Sequence, residues 1–97
     1  MELKIKETAW GIDRIAGGCR ERVTADVCFP CEQGDIPAFG KGGRNFRIDE
    51  LSGDKIVLTV RCADPKYNKA WVLKKGEKLT YRPRSFDGGY FYTFRLK

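Results

Sequence analysis

Apolar and polar residues alternate along most of this chain with the period of two that marks half-buried strands, and almost nowhere with the period of a helix. Glu2 to Thr8 places Leu3 and Ile5 on one side and Glu2, Lys4 and Lys6 on the other, which predicts a first strand. Trp10 to Gly18 has no clear period and ends in Gly17-Gly18, so a loop is expected there, with at most one helical turn at Ile12 to Ala16. Cys19 to Phe29 alternates again: Val23, Ala25, Val27 and Phe29 face one way, and Arg20, Arg22, Thr24, Asp26 and Cys28 the other. Pro30, which has no ladder donor, ends that strand. Periodicity then disappears as far as Asn45, in a stretch of prolines, glycines and polar residues long enough to suggest a binding loop or lid.

Phe46 to Leu51 and Lys55 to Cys62 flank Ser52-Gly53-Asp54, the spacing of a β-hairpin, with Phe46 and Ile48 opposite Val60 and Leu58. Asp64-Pro65 starts a turn to about Asn68. Ala70 to Lys74 carries apolar residues on both faces, Trp71 and Leu73 against Ala70 and Val72, as expected of a strand covered on two sides. Lys78 to Arg84 and Tyr90 to Lys97 form a last hairpin around Asp87-Gly88-Gly89. If Ser85 pairs with Tyr90, parity divides it into two faces. Leu79, Tyr81, Tyr90, Tyr92, Phe94 and Leu96 make a core face. Lys78, Thr80, Arg82, Arg84, Phe91, Thr93, Arg95 and Lys97 make the other, a basic stripe. The whole pattern predicts an all-β protein: one antiparallel domain over residues 1–97, a small β-sandwich or a partly open β-barrel of about seven strands.

Charge changes this picture by making it lopsided. The chain has 97 residues and a formal charge of +6. From Lys66 onward nine basic residues face two acidic ones, whereas residues 1–65 carry ten basic and eleven acidic ones. A localised excess of this kind attracts anions without bearing on fold. The chain has no apolar run long enough to cross a bilayer and starts without the apolar core of a signal peptide. A cytoplasmic protein with reduced cysteines and no membrane partner is therefore expected.

Candidate chemistry is sparse. The absence of histidine removes the commonest general base and metal ligand. Cys28-Phe29-Pro30-Cys31 is a CxxC, but an extended strand from Cys19 to Cys28 would hold those two thiols about 30 Å apart, too far for one zinc ion. Two Cys28/Cys31 pairs meeting across a dimer remain the other route to a four-thiolate site. Asp49 and Glu50 are strand neighbours, which alternate between faces and so form no catalytic dyad. No enzyme activity, metal or cofactor is expected.

Two features point to anion binding instead. Gly40-Lys41-Gly42-Gly43-Arg44 could turn backbone N–H groups toward a phosphate, with Lys41 and Arg44 adding charge. The basic stripe brings arginines whose planar forks suit phosphates, with Phe91 among them and Trp71 or Tyr67 at the edge for stacking on a base. The expected ligand-binding residues are thus Lys41, Arg44, Lys78, Arg82, Arg84, Phe91 and Arg95. The function expected is a non-enzymatic binding module for a phosphate-bearing ligand, either a nucleic acid or a signalling nucleotide. By analogy of size and charge alone, the nucleotide version would be a phage-type anti-defence sponge. The alternative is a protein-interaction or structural module that pairs through the edge of the last hairpin, forms a homodimer, and uses the basic face only for solubility.

Overall fold

In the computed structural model, which describes residues 1–97, the alternating segments become eight strands. These are β1 (Glu2–Ile12), β2 (Cys19–Pro30), β3 (Gly34–Asp35), β4 (Asn45–Ser52), β5 (Lys55–Arg61), β6 (Lys69–Lys74), β7 (Lys78–Tyr81) and β8 (Gly88–Leu96). They form two separate antiparallel sheets, ordered β2-β1-β8-β7 and β3-β4-β5-β6. The protein is a small β-sandwich, not a barrel. The sole helical element is a 3₁₀ turn at Pro65–Tyr67, started by Asp64, whose side chain accepts from the Lys66 N–H.

The core is what alternation leaves between the sheets. The first sheet contributes Leu3 and Ile5 from β1, Tyr81 from β7, and Tyr92, Phe94 and Leu96 from β8. The second contributes Phe46 and Ile48 from β4, Ile56, Leu58 and Val60 from β5, and Leu73 from β6. Phe46 sits at the centre, edge-on to Tyr92 at 4.9 Å and to Phe94 at 5.1 Å between ring centroids, a favoured aromatic arrangement. The β4–β5 hairpin has the predicted register, with Phe46 opposite Val60 and Ile48 opposite Leu58.

Several local expectations are corrected. β1 runs on to Ile12, so Trp10 to Ile12 is strand rather than loop. The expected helical turn is instead a turn built on Asp13. The last hairpin pairs Lys78 with Arg95 and Tyr81 with Tyr92, two residues away from the Ser85–Tyr90 register, and β7 stops at Tyr81. An even shift preserves parity, so among the paired residues both faces are as alternation assigns them, while Arg84 falls in the loop beyond β7. In β2 an irregularity makes Glu7 pair with Ala25 and Thr8 with Val23, leaving Thr24 unpaired. This bulge exposes Val23 and turns Thr24 toward Glu7. β6, finally, is an edge strand covered on one face only: Leu73 is buried, while Val72 and Ala70 are exposed.

Candidate nucleic-acid interface

Pairing of β1 with both neighbours assembles the outer face of the first sheet. Lys4 lies opposite Arg95, and Arg95 opposite Lys78, so three cations form one row across three strands. One row along, Lys6 faces Thr93, which faces Thr80. Lys4, Lys6, Lys78, Thr93, Arg95 and Lys97 line an open cleft of about 170 Å³ with no apolar side chain in it. Of its five cations only Lys4 has an acidic partner, Asp26 at 3.8 Å. Like charges directly opposite in a sheet are destabilising, so this row costs the fold stability instead of supporting it.

Further along the same face Thr8 is opposite Phe91. Arg82 lies across the Phe91 ring, its guanidinium carbon 4.1 Å from the centroid, and ends 3.9 Å from Glu21. Phe91 is therefore covered by a cation, and the stacking surface offered to solvent is the guanidinium plane above it. Trp10, opposite Gly89, continues the face.

The predicted site residues thus separate. Lys78, Arg82, Phe91 and Arg95 come together on this face, and Arg84 lies exposed in the loop beyond β7. Lys41 and Arg44 do not join them. Arg44 is half-buried, 3.8 Å from the Cys62 sulfur and 6.0 Å over the Tyr81 ring, toward the core side. The backbone N–H groups of the glycine loop already hold an anion from the protein itself. Lys41 and Gly42 donate to the Glu7 carboxylate at 2.8 and 3.0 Å, joined by the hydroxyls of Thr24 at 2.7 Å and Tyr92 at 2.9 Å. Glu7 is fully buried. Burial pushes its pKa up, and the hydrogen bonds from Lys41, Thr24, Gly42 and Tyr92 outweigh that and hold it below the usual carboxylate range. The loop is a cradle, but its occupant is Glu7.

The remaining aromatics and the thiols lie elsewhere. Trp71 packs inward, 5.2 Å from Tyr81 and 6.3 Å from Phe94, and Tyr67 sits in the 3₁₀ turn beside the second sheet. Neither borders the basic face. All four cysteines are free. Cys19 and Cys28 pair with Ile12 and Lys4 at opposite ends of β1, and no three His, Cys, Asp or Glu side chains are grouped to hold a metal ion. The Cys28 thiol donates to Glu2 at 3.2 Å, which with slight burial raises its pKa, and burial raises that of Cys31. Both thiols are poor nucleophiles as a result.

Period alone did not select Lys4, Lys6 and Trp10, although alternation already put the two lysines on a polar face. Their membership depends on β1 pairing with β8 across almost the whole chain. No protein-family model, curated protein or solved structure matches the chain.

Proposed function

We propose that the outer face of the first sheet is a track for single-stranded nucleic acid, gripped through its phosphates by Lys4, Lys6, Lys78, Arg95 and Lys97. The observation that carries this reading is the cross-strand row Lys4, Arg95, Lys78, a concentration of like charge that weakens the fold, is relieved within the protein only by Asp26 beside Lys4, and is offset when an anion lies on it. Two rows away, the Arg82 guanidinium over Phe91 offers a stacking surface that tolerates any base.

A polynucleotide suits this face better than a single signalling nucleotide. A selective nucleotide pocket encloses its ligand between largely apolar walls, and the cleft is open and lined only by cations and Thr93. The sponge reading and the hairpin-edge reading both have less to support them here.

The reading is tested by fluorescence anisotropy with a labelled single-stranded oligonucleotide. Lys78→Glu/Arg95→Glu should weaken binding roughly tenfold or more by replacing two phosphate contacts with repulsion. Lys41→Glu, in the loop that closes over Glu7, should do much less. Equal affinity for the wild type and the double variant would contradict the proposal and return attention to the hairpin edge.

A further inference from the structure

The end of the first sheet opposite the basic cleft presents two loops side by side, Asp13 to Gly18 and Arg82 to Asp87. They are fastened together: the Ile12 N–H donates to the Asp87 carbonyl at 3.0 Å, and Arg14 bridges to the Asp87 carboxylate at 2.9 Å. Each holds a large apolar side chain out in solvent, Ile15 at 100% exposure and Phe86 at 95%, with Ile12 half-exposed at 46% between them.

The exposure of Ile15 is built rather than left over. Asp13 organises its loop almost alone: its carboxylate accepts from the Ile15 and Ala16 N–H groups at 3.0 Å each and pairs with Arg20 at 2.8 Å. Its carbonyl accepts from Gly17 at 2.8 Å, and its own N–H donates to Gly18 at 2.9 Å. A loop so fully hydrogen-bonded has one shape, and that shape points an isoleucine at water, at a cost the fold does not recover.

We propose that these paired loops are a membrane-surface anchor, inserting Ile15 and Phe86 into the interfacial zone of an anionic lipid bilayer. The tips protrude, so they offer little area to a protein partner, which needs several hundred Å² of matched surface. A lipid interface accepts protruding side chains individually. The charge fits as well: Arg14 and Arg20 are paired with Asp87 and Asp13, but Arg22 and Arg84, both exposed, have no acidic partner and leave this end net positive toward anionic headgroups. No segment of the sequence signals a membrane partner, because Ile15 and Phe86 are far apart in the chain and only the β1–β8 pairing joins their loops.

The test is flotation of the full chain with vesicles of phosphatidylcholine, with and without phosphatidylserine. The wild type should float with the serine-containing vesicles, and Ile15→Ser/Phe86→Ser should bind them roughly tenfold more weakly or worse. Both positions being fully exposed, that variant keeps its melting temperature and its oligonucleotide affinity, which separates this anchor from the basic track about 25 Å away along β1. Lys78→Glu/Arg95→Glu should remain dependent on the tips. A wild type that fails to float, or a tip variant that floats equally well, overturns the proposal.

Discussion

At Glu7 a carboxylate is completely buried and still ionised, because four donors converge on it. These contacts explain why the aperiodic stretch between β2 and β4 has a defined path: Lys41 and Gly42 are hydrogen-bonded to the first sheet through one side chain. Replacing Glu7 by Gln turns an amide donor toward groups that are themselves donors, and should cost roughly 2 kcal/mol. The sign of the pH effect follows from the lowered pKa. The Glu7 contribution is complete above the unfolded value of about 4.3 and is lost as pH falls through the lower folded value. Urea unfolding at neutral and acidic pH should therefore show a weaker acid dependence in Glu7→Gln than in the wild type. Gly42 is held to glycine by the same cluster. An added Cβ would collide with the Tyr92 hydroxyl and stand 2.9 Å from a Glu7 oxygen. Gly42→Ala should destabilise by about 1–3 kcal/mol, read as a lowered melting temperature.

Among the elements, β2 and the last hairpin show where alternation is a sufficient guide and where it fails. Parity alone assigned Tyr92, Phe94 and Leu96 inward and Arg95 outward, and a two-residue error in register left that intact. In β2 the same rule sent Val23 into the core with Val27, but one unpaired residue, Thr24, reverses the faces beyond it. Nothing in the apolar spacing marks that bulge, whose unpaired residue is held by a hydrogen bond to Glu7 on a different strand. β6 departs from its pattern for a related reason: apolar residues on both faces suit a covered strand, and the sheet ends there instead. Val23 of β2 and Leu58 in the core of β5 give a direct check by denaturant unfolding. Val23→Ser should change stability by no more than about 0.5 kcal/mol, while Leu58→Ala should cost about 2–5 kcal/mol.

For the whole molecule, composition located the charge in the last third of the sequence, and the fold adds β1 to it. Lys4 and Lys6 belong to a segment whose net charge is unremarkable, and only the order β2-β1-β8-β7 sets them beside Arg95 and Lys78. The glycine loop misled in the opposite sense, because its anion-holding geometry is real and its anion is internal. What remains is a sandwich with one outer face on which four of the five cleft cations have no acidic partner. The salt dependence of single-stranded oligonucleotide binding tests that claim most directly. Engagement of the five cleft cations predicts a slope of log K against log salt of about −3 to −4, at about −0.7 for each phosphate contacted, and a slope shallower by about 1.4 in Lys78→Glu/Arg95→Glu. Binding that is independent of salt, or no binding at low salt, would contradict it.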